Sequence, residues 1–128
     1  MKIVNSKPPN WQRLSETFPI TWGTVIVAYA PNIYCGVEVS KQKQVHEEIH
    51  LERQRNLGVD LWWEYYFTDK AFRLSEELEA YKVEVEWIKE NIQTRNQRRF
   101  LLDKIYSDLS SSVYGFICSY DEAKRMLC

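Results

Sequence analysis

The chain holds only two histidines, and both fall in one short stretch, Val45-His46-Glu47-Glu48-Ile49-His50. A spacing of four residues is useful to a chain only if the backbone there is helical. On an α-helix, positions i and i+4 sit one above the other on the same side, so the two imidazoles can close on a single metal ion. Glu47 then lies roughly 100° around the helix from His46. That offset lets its carboxylate reach a metal-bound water rather than the metal. The spacing therefore predicts a helix, and it predicts zinc as the ion, because neutral imidazole nitrogens and an adjacent carboxylate suit a zinc site that activates water. Chance would seldom set the only two histidines of a chain at ligand spacing. The bland alternative is a surface helix carrying two solvated histidines.

The flanking sequence supports a helix on independent grounds. Ser40 is a suitable N-cap and Gly58 a suitable stop, which places the helix from Ser40 through Leu57. Lys41 and Lys43 oppose the helix dipole at its start, so packing has to hold that end. Val45, Ile49 and Leu57, with the stem of Arg53, mark the expected buried side beside the histidines. Upstream, Thr21 to Ala30 is β-branched and aromatic, Pro31-Asn32 interrupts it, and Ile33 to Val39 resumes it. This pattern predicts two strands joined by a turn. An exposed sheet edge so close to the motif can bind an extended peptide through main-chain hydrogen bonds, or it can be purely structural. Residues 1–17, with Pro8-Pro9, predict an irregular or partly extended lead-in with a helical turn near Trp11–Leu14.

After Asp60, a plausible cap, comes Leu61-Trp62-Trp63-Glu64-Tyr65-Tyr66-Phe67. Aromatic side chains bury large areas, so the cluster reads as core before it reads as a substrate cleft. Thr68-Asp69 marks a bend, and a long helix is expected between Lys70 and Ile92. Thr94 to Leu109 reads as a further helix, with Leu101, Leu102, Ile105, Tyr106 and Leu109 inward. Its Arg95, Arg98 and Arg99 form a solvated face or, less simply, a phosphate-binding patch. Ser110 to Ser112 reads as a loop and Tyr114-Gly115 as a turn. Ser119-Tyr120-Asp121-Glu122 is a capping box opening a short last helix through Leu127. With 128 residues, the expectation is a single domain spanning 1–128. Its class is α+β, mostly helical, with a small antiparallel hairpin or sheet before the motif helix.

A catalytic zinc usually takes three protein ligands and leaves one position open. No third histidine exists and no cysteine is near in sequence, so the remaining ligand should be a carboxylate from the long helix. Leu74, Leu78, Tyr81, Val85 and Ile88 define its apolar stripe. Glu77 falls about 60° from the centre of that stripe, while Glu76 and Glu79 fall roughly 140–160° away. Glu84, two turns beyond Glu77, shares its side and competes with it. The other glutamates read as a solvated face.

His46-Glu47-Glu48-Ile49-His50 followed by Glu77-Leu78-Glu79-Ala80-Tyr81 resembles the paired HExxH and E-x-E-A signature of gluzincins, metallopeptidases whose third zinc ligand is a glutamate on a second helix. The strand pair and the aromatic segment between the motifs resemble small single-domain members of bacterial and phage type. The resemblance spans about residues 20–90. It implies a minimal zincin-like fold, with His46, His50 and Glu77 as zinc ligands and Glu47 as the catalytic carboxylate. Two positions depart from the pattern. Tyr81 stands where many members have an aspartate that supports a ligand histidine, and Arg53, with Gln54 beside it, stands where many small members have glutamine.

The expected reaction is hydrolysis of a peptide bond by zinc-activated water, with Glu47 as general base. The tetrahedral oxyanion needs a further donor, and Tyr65, Tyr66, Arg73, Tyr81 and Tyr114 are all open for that role. The expected partner is a peptide or protein substrate. A formal net charge of −1 gives no general attraction to nucleic acid or anionic lipid. No apolar run is long enough to span a bilayer, and the N-terminal stretch lacks the pattern of a signal peptide. Cys35, Cys118 and Cys128 read as free thiols, and the default location is the cytoplasm. Two other readings belong to different classes: a catalytically inactive zinc-binding interaction domain of phage or bacterial origin, and an accidental motif on a domain whose arginine-bearing helix binds nucleic acid.

Overall fold

A computed structural model describes all residues, 1–128. The chain folds as β1 (Ile3–Val4), α1 (Trp11–Thr17), β2 (Ile26–Tyr29), β3 (Asn32–Cys35), α2 (Lys41–Leu57), α3 (Val59–Thr68), α4 (Lys70–Asn91), α5 (Arg95–Leu109), a 3-10 turn (Ser112–Tyr114) and α6 (Tyr120–Leu127). It is the mostly helical α+β class expected. No helix is long and apolar enough to cross a membrane.

The sheet differs from a simple hairpin. β2 and β3 pair antiparallel around Ala30-Pro31, but β1 adds to β3 in parallel, giving the order β1-β3-β2. At two residues, β1 is too short to leave a periodic signature. The strands are also shorter than the β-branched runs suggested. Gly23 adopts φ +96°, and a Cβ on Gly36 would come within 3.0 Å of the Gly23 Cα. Close approach of these two glycines ends the ladder before it reaches Trp22.

Helix α2 has the expected limits. The Ser40 hydroxyl accepts from Lys43 N, and Gly58 closes the helix at φ +99°. Its buried face is not the predicted one. Val45 and Ile49 are half-buried and Leu57 is exposed, whereas His46, Glu47, His50, Leu51 and Gln54 are buried. The helix lies between β2 and α4, and polar side chains with partners on those elements occupy the interior. Gln54 shows how: its amide donates to Ala28 O at 2.9 Å and accepts from Ala30 N at 2.7 Å, as a neighbouring strand would. Both ends of this buried amide are thus satisfied by the strand without solvent.

Gly58 also serves as the N-terminal boundary of α3, so Asp60 is not its cap. Asp60 lies within the first turn, a favourable place for an anion, and accepts the Tyr29 hydroxyl at 2.8 Å. Of the aromatic cluster, Trp62, Trp63 and Tyr66 are buried with Leu14, Phe18 and Val27, while Tyr65 faces solvent. Asp69 caps α4 through Ala71 N and Phe72 N. A second core, between α4, α5 and α6, gathers Tyr81, Val85, Ile88, Ile105, Tyr106 and Leu109. The capping box at Ser119 is present, and the 3-10 turn runs from the last residue of the predicted Ser110–Ser112 loop into the predicted Tyr114-Gly115 turn. Arg95 and Arg99 are exposed as expected, but Arg98 is half-buried and bonds the carbonyls of Ile92 and Gln93 at the end of α4.

Glu76 is the clearest departure from helical phase. Expected on a solvated face, it is 2% exposed. Its carboxylate accepts from Arg53 Nε at 2.8–2.9 Å and from the Trp62 indole at 2.6 Å. One carboxylate thereby ties α2, α3 and α4 together. Glu76→Ala leaves the indole N–H buried without a partner, so it should destabilise the fold by about 2–3 kcal/mol. Glu79→Ala, on the exposed face, should stay within about 0.5 kcal/mol of wild type. Urea unfolding of the two variants measures the contrast, and equal losses would contradict the role given to Glu76.

Candidate metal site

Helices α2 and α4 carry the predicted ligands towards one another. His46 Nε2 and His50 Nε2 approach the same oxygen, Glu77 Oε1, at 3.1 and 3.2 Å. All three residues are buried, and they form a group able to hold a metal ion. Around an ion with bonds of about 2.0–2.1 Å, tetrahedral donors sit about 3.4 Å apart. The two observed separations are a few tenths of an ångström shorter, so an ion needs only a slight opening of the triad. Without metal, each Nε2 needs its own proton to face that oxygen. One cation replaces those protons.

The second oxygen of Glu77 is held separately. The Tyr66 hydroxyl donates to Oε2 at 2.6 Å, which leaves Oε1 for the histidines. Burial works against the Glu77 charge, but His50 and His46, by charge and hydrogen bond, hold the carboxyl well below the usual carboxylate range in the metal-free state. Burial pushes the Tyr66 phenol well up, reinforced by the neighbouring carboxylate. It therefore remains a donor.

Glu84, the predicted competitor for the third ligand, stands on the other side of His46. Its Oε1 lies 2.9 Å from His46 Nδ1. The contact has ion-pair distance, but the ring N–H does not point straight at the oxygen, and both atoms lack an aligned hydrogen bond. Glu84 is itself fully buried, and its Oε2 accepts from Gln42 at 2.6 Å and Lys43 at 3.0 Å. A carboxylate on the far nitrogen fixes a ligand histidine's tautomer and ring orientation. Glu84 is the carboxylate on that side of His46. Tyr81 packs the edge of its ring against His46, centroids 4.3 Å apart. His50 rests against Trp62 at 5.4 Å, and its Nδ1 has no protein partner.

Burial alone would lower the His46 imidazole, but Glu77 and Glu84 outweigh it, and in the metal-free protein it is pushed up to about 10. Glu47 lines the same cleft and has no hydrogen-bond partner in the protein. Burial raises its carboxyl, partly offset by the charges of His46 and His50.

No family model, curated protein or solved structure matches this chain. What the site can do is therefore read from its own geometry. It opens into a cleft of about 380 Å³. Leu14, Phe18, Val25 and Trp63 give it an apolar lining, and Tyr81 and Tyr114 line it as well.

Sequence reasoning found all three members of the group and Glu47. It held Tyr66 open as an oxyanion donor and missed its bond to Glu77 on another helix, and it weighed Glu84 as a competing metal ligand rather than as a neighbour at the back of His46. The i, i+7 relation of Glu77 and Glu84 was the available signal.

These charges give the metal-free protein a defined pH response. His46 binds its proton more tightly folded than unfolded, so this contribution is complete below about pH 6.5 and is lost as pH rises towards 10. Glu77 acts oppositely: its contribution is present above about pH 4.3 and is lost as pH falls. The metal-free melting temperature should therefore decline from pH 6.5 to pH 9, and a bound divalent metal should remove most of that decline. Calorimetric melts with and without metal check this. A flat metal-free profile would contradict the pairing of His46 with two carboxylates.

Proposed function

We propose that this protein is a zinc-dependent peptidase that hydrolyses peptide bonds with Glu47 as general base. The observation that carries the reading is the convergence of His46 Nε2 and His50 Nε2 on Glu77 Oε1, beside a buried, unpartnered Glu47 in an open cleft. Two imidazoles and one carboxylate form a donor set of catalytic zinc sites with an open position, and they suit zinc better than calcium or magnesium, which prefer oxygen alone. The resemblance to gluzincins in the paired motifs points the same way.

When bound, zinc supplies Lewis acidity, acidifying water and polarising a carbonyl oxygen. The rest is the work of the chain. His46, His50 and Glu77 hold the ion, with Glu84 and Tyr66 holding His46 and Glu77 in turn. The Glu47 carboxylate, its pKa raised by burial, takes a proton from water and returns it to the leaving nitrogen. A raised carboxylate is better matched to both transfers near neutral pH. The apolar lining keeps bulk water from the reacting groups.

A peptide is the substrate class that the sheet favours. β2 is an edge strand, and Ile26 to Ala28 line the cleft. Gln54 already bonds Ala28 O and Ala30 N, so Ala28 and its alternate neighbours face away from β3. The next group of that parity, Ile26, is free to pair with an extended chain.

The test is hydrolysis of a mixed peptide library, read by mass spectrometry, with zinc-loaded and chelator-treated protein. Cleavage should require zinc, and Glu47→Gln should lower kcat by roughly 10²–10⁴-fold, the usual worth of general acid and base catalysis, while keeping the metal. Unchanged cleavage in Glu47→Gln would contradict the mechanism.

A further inference from the structure

The peptidase reading leaves one group to be named, the donor that stabilises the oxyanion, and this inference rests on that reading. Of the five side chains open from sequence, three are committed elsewhere. Tyr65 is 43% exposed, packs on Phe72 and does not line the cleft. The Tyr66 hydroxyl donates to Glu77 Oε2. Arg73 is buried, with Nε, Nη1 and Nη2 directed to the backbone carbonyls of Tyr66, Tyr114 and Phe67 at 2.8, 3.1 and 3.2 Å.

Tyr81 and Tyr114 remain. Both line the cleft with His46 and Glu47. Their hydroxyl oxygens are 2.7 Å apart, and neither makes another hydrogen bond in the protein. Two phenols carry two protons, and one O–H···O bond uses only one. The pair therefore leaves one O–H uncommitted at residues that line the cleft.

We propose that Tyr114 is the oxyanion donor and that Tyr81, by donating to the Tyr114 oxygen, is its positioning residue. The difference in burial between the two rings is the ground for this direction. Tyr81 is 2% exposed, wedged against the His46 ring, and the Tyr114 oxygen is its one partner. Tyr114 is half-buried on the 3-10 turn, at the wall of the cleft. A hydroxyl that accepts a hydrogen bond is polarised into a better donor. The turn is also fixed in place: Arg73 Nη1 holds the Tyr114 carbonyl, and Gly115 follows at φ +81°, where a Cβ would meet that same nitrogen at 2.9 Å.

Two ligands of the zinc-loaded protein separate this role from a structural one. A phosphinic pseudo-tripeptide with apolar side chains places tetrahedral oxygens at the metal, whereas the matching thiol peptide places a sulfur there and no oxyanion. By calorimetry, Tyr114→Phe should weaken the phosphinic ligand by about 10²–10³-fold, on the scale of one lost oxyanion donor, and leave thiol affinity and zinc content unchanged. Tyr81→Phe should cost only a few-fold, because Tyr114 keeps its proton. Wild-type affinity for the phosphinic ligand in Tyr114→Phe would overturn the assignment, and a larger loss in Tyr81→Phe would overturn its direction. If wild-type, zinc-loaded protein binds neither ligand, the peptidase reading itself fails and the assignment falls with it.

Discussion

The structure depends on how the buried Glu77 carboxylate is shared. One oxygen faces two histidines from α2, and the other takes the Tyr66 hydroxyl from α3. A lone buried carboxylate is costly, and hydrogen bonds with opposite charge are what make it tolerable. Here the two histidines belong to one helix and the tyrosine to another, while the carboxylate itself is on a third. The carboxylate therefore sets the relative position of α2, α3 and α4 as well as the site, and loss of either function disturbs the other.

Around it, several further buried side chains are polar or charged. Glu76 is bound by Arg53 and Trp62, Glu84 by Gln42 and Lys43, and Gln54 completes the edge of β2. These groups lie along the face where α2 meets its neighbours, while the apolar cores sit to either side, under α3 and between α4, α5 and α6. Glu84 and Tyr66 hold His46 and Glu77, which are thus positioned by the packing of the domain before any ion arrives.

Much of this was legible in the sequence. The histidine spacing, the Ser40 cap and the Gly58 stop located α2, and the phase of α4 turned Glu77 inward. Phase failed where a specific partner outweighed an apolar stripe. Glu76 lies far from the stripe of α4 yet is buried, because Arg53 and Trp62 neutralise and bond it. Leu57 is apolar and shares the face of His50 and Gln54, yet it is exposed because it is the last residue of α2, at the end of the helix. The sequence offered Tyr66, Tyr81 and Tyr114 as candidates without ranking them; the bond of Tyr66 to Glu77 and the Tyr81–Tyr114 pair could not be read, since each joins residues on elements whose relative placement only the tertiary fold supplies. β1, two residues long, left no pattern to find.

The account turns on whether His46, His50 and Glu77 hold a zinc ion. The most direct measurement is metal content by elemental analysis on chelator-washed protein after zinc is added back and excess removed, with His46→Ala and Glu77→Gln alongside. The account predicts one zinc per chain in wild type and loss of it in both variants. No retained zinc in folded wild-type protein, or full retention in both variants, would contradict it.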